Sequence, residues 1–219
     1  MVEYPDSTYV EYTKNYTFSN DVLTFLAPRV EDMSSVLKIV TNRTLSQQIG
    51  LPELNTERIA VFGHSLGGAT AVGALLAEPR LEAACNIDGG LWGEEITTNN
   101  SRPFMLITAA DHPDSDTSWW ENWPYQLGRK WHLDIEGAAH NTFTDFSILY
   151  KLLGTNMTDP AVEAVMGTID PIRVFTILRD YIGAFFFDIL AGKDDDLLKG
   201  PSPDYPDVTF RNMSSGGNQ

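Results

Sequence analysis

A single cysteine, Cys85, stands among 219 residues, which excludes an internal disulfide framework and any cysteine-based zinc site. Cations are scarce: 15 Lys and Arg face 30 Asp and Glu, for a formal charge of −15. That field repels phosphate backbones, and no basic cluster offsets it, so no nucleic-acid partner is expected. Charge-driven docking to an anionic membrane is disfavoured for the same reason, whereas transient contact with a zwitterionic lipid surface stays open. No apolar run is long and clean enough to span a bilayer, because 174–190 contains Arg179, Asp180 and Asp188. The first dozen residues have neither a basic start nor an apolar core, so no signal peptide is expected within this chain. Histidine is also sparse, at four, which narrows the search for a catalytic base.

What is present is ordinary globular material. Hydrophobic residues are 42% and charged residues 21%, enough to bury a core without disulfides or metal. One domain over 1–219 is the expected organisation. Five N-x-[ST] sequons, at Asn15, Asn42, Asn99, Asn156 and Asn212, exceed the roughly two that composition gives by chance. They hint at a secreted, extracellular glycoprotein; a cytoplasmic Asn- and Thr-rich protein is the alternative.

The periodicity alternates strand and helix from residue 58 onward, which predicts an α/β fold with a parallel sheet flanked by helices. Residues 8–12 alternate weakly, as an edge strand would. Residues 20–48 carry helical spacing, with Pro28 expected to kink or divide the helix. Buried strands are expected at 58–62, 83–87 and 104–108, and at 131–135, where Trp131, Leu133 and Ile135 alternate with polar residues. Asp170 and Pro171 open a last helix that Gly192 ends, with Phe175, Leu178, Ile182, Phe185 and Ile189 facing inward. Burial is expected for the Phe185–Phe187 run.

The chemistry lies in Gly63-His64-Ser65-Leu66-Gly67, a G-x-S-x-G pattern between a strand and a helix of small residues. A nucleophile elbow needs that context, with a strained serine and glycines leaving room on either side. Serine requires a base, and the base an acid that orients it, in the chain order Ser, Asp/Glu, His. His140 follows the last expected strand and is preferred. His64 lies inside the elbow, His132 within a strand, and His112 before the last strand. Asp88 and Asp111 both follow strand ends between Ser65 and His140, and spacing leaves the acid undecided between them. The Leu66 backbone N–H would serve an oxyanion hole. Trp119, Trp120, Trp123 and Tyr125 cluster after the third strand, either as a substrate-binding wall or as core packing.

The segments GHSLGGAT, CNIDGGLWG, GAAHNTFTDFSIL, DPIRVFTILRDYIGAFFFDILAG and LLKGPSPDYPDV together resemble the platelet-activating factor acetylhydrolase family of the plasma, lipoprotein-associated type. The resemblance runs from about residue 4 to residue 210 and implies the α/β-hydrolase fold. It implies Ser65 as nucleophile, His140 as base and Asp88 as acid, with Asp111 a loop residue. It also implies further strands upstream, including the loop giving a second oxyanion donor, so this chain reads as N-terminally truncated. The expected activity is a serine esterase releasing a short sn-2 acyl group, such as acetyl, from a phospholipid, without metal or organic cofactor. Alternatives are a general carboxylesterase or polyester hydrolase with Asp111 as acid, and an inactive, truncated hydrolase kept as a binding protein.

Overall fold

The computed structural model describes residues 2–3, 6–10, 18–110 and 116–214. A short antiparallel pair is formed by β1 (Val2–Glu3) and β2 (Tyr9–Val10); β2 falls in the weakly alternating stretch 8–12, of which residues 11 and 12 lie outside the described residues. Helix α1 (Phe18–Val40) runs through Pro28 and gives way to α2 (Arg43–Gln48). The break between them falls at Asn42, whose side chain accepts the N–H groups of Thr44 and Leu45 as an N-cap. The predicted division at Pro28 is therefore displaced to a capping residue.

A five-stranded sheet follows in the order β3 (Ile59–His64), β4 (Leu81–Ile87), β5 (Phe104–Ala109), β6 (Lys130–Ile135) and β7 (Val208–Ser214). The first four are parallel and β7 is antiparallel to β6. Helix α3 (Leu66–Ala77) and the short α4 (Ser118–Asn122) cover one face. After β6 come α5 (Asp145–Leu152), α6 (Pro160–Met166) and α7 (Pro171–Ala191).

Strand alternation sorts the two layers. Cys85, Ile87, Met105, Ile107, Leu133 and Ile135 meet Val174, Ile177, Tyr181 and Phe185 of α7. On the other face Val61 and Ala84 meet Ala71, Ala74 and Leu75 of α3, and Leu37 of α1 closes over them. Phe104 and Leu106 meet Val72 and Trp119. Both faces of the central strands are thus covered, as a parallel sheet requires.

The ends of α7 follow the sequence signals: the Asp170 side chain accepts the Ile172 N–H, and Gly192 turns with φ 62°. Its inward stripe is rotated from the expected one. Val174, Ile177, Tyr181, Ala184 and Phe185 are buried, while Phe175 is exposed and so is Phe187. The long apolar helix offers more greasy positions than the sheet can cover, so periodicity alone does not select the seam. A second difference is at β6, where His132 and Asp134 are as buried as their apolar neighbours, because α4 packs its tryptophans over that face. The strand β7, unforeseen in the sequence, extends the sheet beyond β6. Among the described residues β3 forms the opposite edge, where Phe62 is 57% exposed.

Candidate active site

β3 delivers the chain into the G-x-S-x-G turn, and Ser65 closes it as the residue before α3 with φ 57° and ψ −128°. A non-glycine residue pays strain for such a backbone, and strain of this kind marks functional turns. The turn is shaped by close backbone approach: a Cβ on Gly63 would strike the Gly67 carbonyl, and one on Gly89 would strike the Ser65 carbonyl. Gly67 itself faces open space, so the second glycine of the motif is not demanded sterically. Leu66 is the first residue of α3, and its N–H belongs to the turn where a helix has no internal acceptor.

β4 ends one residue before Asp88, which also has positive φ, at 53°. Asn86 makes that turn possible: its Oδ1 accepts the Gly89 N–H at 2.9 Å and its Nδ2 donates to the Gly89 carbonyl at 2.7 Å. The Trp119 indole donates to the same carbonyl at 2.7 Å. The Asp88 N–H donates to the Ile107 carbonyl at 2.7 Å, and its Oδ1 accepts the Ala109 N–H at 3.0 Å.

His140 opens a 3-10 turn after β6. Its Nδ1 lies 2.6 Å from Asp88 Oδ2, and its Nε2 lies 2.9 Å from Ser65 Oγ. The Asp88 side chain is fully buried, while His140 retains 36% exposure. Oriented carboxylate, imidazole and hydroxyl thus form one continuous hydrogen-bonded line, competent for proton removal from the serine.

His64, too poorly placed in the sequence to act as base, supports this line. Its Nε2–H donates to the His140 carbonyl at 2.9 Å, and its ring packs 4.6 Å from the His140 ring. Burial, reinforced by the neighbouring His140, holds the His64 imidazole below its ordinary value. It therefore stays a neutral donor near pH 7. Neither Asn86 nor His64 had a legible signal: His64 acts through a carbonyl 76 residues away, and Asn86 through the peptide of Gly89 just beyond the strand.

The other sequence candidates lie elsewhere. Trp119, Trp120 and Trp123 gather about the buried His132, with ring centroids 6.4, 5.2 and 5.9 Å from it. Trp119 is buried, and Tyr125 lies in the 3-10 turn that follows α4. Asp111 and His112 lie outside the described residues. Among the described residues no group of three His, Cys, Asp or Glu side chains could hold a metal ion. Burial pushes the Cys85 thiol far up, which leaves it without thiolate chemistry.

The chain is similar to several known proteins. A probable 1-alkyl-2-acetylglycerophosphocholine esterase of Arthroderma benhamiae is 29% identical over 94% of this chain and 56% of that protein. The platelet-activating factor acetylhydrolase of Cavia porcellus is 24% identical over 76% of this chain and 40% of that protein. The solved structure of a ferulic acid esterase from Streptomyces cinnamoneus superposes with a TM-score of 0.81 at 30% identity. That match covers 96% of this chain and 62% of the esterase. The chain spans about half the length of the curated relatives it matches. Its mostly parallel, helix-flanked sheet is an α/β-hydrolase fold. Residues 27–195 match the family described as platelet-activating factor acetylhydrolase, isoform II, and the chain belongs to that family.

Proposed function

We propose that this chain is a serine esterase that cleaves a short acyl group, such as acetyl, from the sn-2 position of a phospholipid. The observation that carries the reading is the unbroken contact from Asp88 through His140 to Ser65 Oγ. In the reaction Ser65 Oγ attacks the ester carbonyl carbon and passes its proton to His140 Nε2. Asp88 holds the tautomer with the proton on Nδ1 and stabilises the imidazolium. The Leu66 N–H supports the oxyanion. Collapse expels the alcohol with the proton from His140, leaving an acyl ester on Ser65. Water, deprotonated by His140, then releases the carboxylic acid.

Labelling by a fluorophosphonate, with hydrolysis of a short nitrophenyl ester, tests the reading. Both are expected in the wild type and absent in Ser65→Ala and His140→Ala. A folded wild type that neither labels nor turns over would sink it. The substrate follows from competition among 2-acetyl phospholipid, long-chain phospholipid and aryl esters. A second reading, a general carboxylic ester hydrolase, is favoured by the likeness to a ferulic acid esterase. Aryl esters winning that competition would select it.

A lipid surface is the proposed place of action. Phe146, Leu149, Leu152 and Leu153 are exposed on and just after α5, which follows His140, and Phe175 is exposed near the start of α7. An apolar cluster beside a site suits contact with zwitterionic lipid. An extracellular setting is proposed from the sequons: Asn42, Asn99, Asn156 and Asn212 are exposed, and Asn15 lies outside the described residues.

A further inference from the structure

Asp88 has two oxygens and two jobs. Oδ2 takes the imidazole, and Oδ1 takes one backbone donor, the N–H of Ala109 at the end of β5. The position of that peptide therefore sets the aim of the carboxylate. The residue on the other side of the same peptide, Thr108, is 1% exposed and joins a polar cluster unusual for a sheet interior. Its Oγ1 donates its one proton to Asp134 Oδ1, the neighbouring residue on β6. It must then accept from His132, whose Nε2 is 2.9 Å away. His132 consequently carries its proton on Nε2, and its buried Nδ1 has no hydrogen-bond partner among the described residues.

The cluster continues outward. Asp134 Oδ2 accepts the Nε–H of Arg211 from β7. The β6–β7 register shifts between His132 and Leu133, whose partners are Asn212 and Phe210. Arg211 sits in that irregularity, and bulges re-aim side chains. Trp120 packs beneath its guanidinium at 5.5 Å. Burial pushes the Asp134 carboxyl up, but hydrogen bonds from His132, Thr108 and Arg211 outweigh it and hold the group below the usual carboxylate range. This ion pair, with its carboxylate buried and its guanidinium partly exposed, is a poor source of stability, because desolvating the carboxylate offsets the attraction. The pair adjoins the strand end whose amide holds the acid.

Resting on the triad reading above, we propose that Thr108, Asp134 and Arg211 are positioning residues for Asp88, a lateral brace running from the last strand of the sheet to the acid. None touches the reacting atoms. The brace acts by fixing the Thr108–Ala109 peptide, and with it the carboxylate that stabilises the imidazolium.

Thr108→Val removes the hydroxyl at nearly constant volume, Thr108→Ser keeps it, and Arg211→Gln breaks the outer end at a partly exposed position. Nitrophenyl ester kinetics are measured across pH, with folding checked by thermal unfolding. Thr108→Val and Arg211→Gln are expected to lower kcat about ten-fold with KM unchanged. The acidic limb of kcat should move to lower pH, because a loosened Asp88 stabilises the imidazolium less. Thr108→Ser should restore both. The second readout is the far-downfield proton resonance of His140 Nδ1–H, expected to weaken or shift upfield in the two damaging variants. Folded variants with wild-type kcat, pH limb and resonance would overturn the brace, as would a Thr108→Ser as impaired as Thr108→Val. A wild type without turnover would overturn the triad reading alone, and the resonance would still decide the brace.

Discussion

At the scale of single residues the clearest consequence concerns Asp88. Replacing it with Asn leaves the shape of the site but allows the wrong imidazole tautomer, so kcat should fall by about 10⁴. Steady-state hydrolysis of a nitrophenyl ester checks this, with fluorophosphonate labelling as a direct view of Ser65. A second residue, Glu95, is buried near Gly73 of α3 and Val30 of α1. Burial pushes its carboxyl from 4.5 up to about 8, despite the hydrogen bond from the Trp92 amide. The native state then holds a proton that the unfolded chain has lost, so between about pH 4.5 and 8 stability falls as pH rises. The slope is about 1.4 kcal/mol per pH unit, levelling above pH 8. Urea unfolding of wild type and Glu95→Gln across this window should show the slope in the former and its loss in the latter. The Tyr181 hydroxyl is buried and has no hydrogen-bond partner among the described residues. Tyr181→Phe should therefore stabilise the fold by about 1 kcal/mol, read as a raised urea midpoint.

At the scale of elements the glycines around the elbow carry a sharper demand than the motif states. Gly89→Ala would push β4's exit away from the Ser65 carbonyl, costing about 1–3 kcal/mol and most of the activity. Gly67→Ala should be tolerated, since nothing lies within 4 Å of a Cβ there. Thermal unfolding and ester turnover of the two variants separate these outcomes. The same contrast explains what the sequence made legible. Strand, turn and helix around Ser65 read correctly because each carries a local signal: an apolar run, a motif, then small residues. His140 was reachable by chain order. The structure brings Asp88 to His140, where strand spacing alone had left it level with Asp111. His64 was hidden because its partner, the His140 carbonyl, is 76 residues away, and Asn86 because a side chain that brackets the Gly89 peptide three residues on carries no motif of its own. So was Arg102, which donates to the carbonyls of Leu75 and Glu78 at the end of α3 and of Leu81 at the start of β4. The burial of His132 and Asp134 contradicts the alternation of β6, which cannot reveal that α4 will roof a polar face.

At the scale of the whole molecule, charge and greasiness separate. The chain is strongly acidic, yet Phe146, Leu149, Leu152 and Leu153 on and just after α5, with Phe175 near the start of α7, are exposed apolar side chains. Binding to phosphatidylcholine vesicles should therefore be insensitive to salt and should fall several-fold in Leu152→Asp/Leu153→Asp. Hydrolysis of a soluble ester should be unchanged in that variant. Vesicle sedimentation alongside kinetics reads both.

The antiparallel β7 also has a consequence in time. Arg211 lies 77 residues after its partner Asp134. At roughly 5–20 residues per second, roughly 4–15 s of synthesis separate the two. Throughout that interval β6 waits with one flank unpaired and a carboxylate that has yet to meet its cation. The nascent chain can assemble the parallel strands early, but the seam beside Asp134 closes only when β7 arrives.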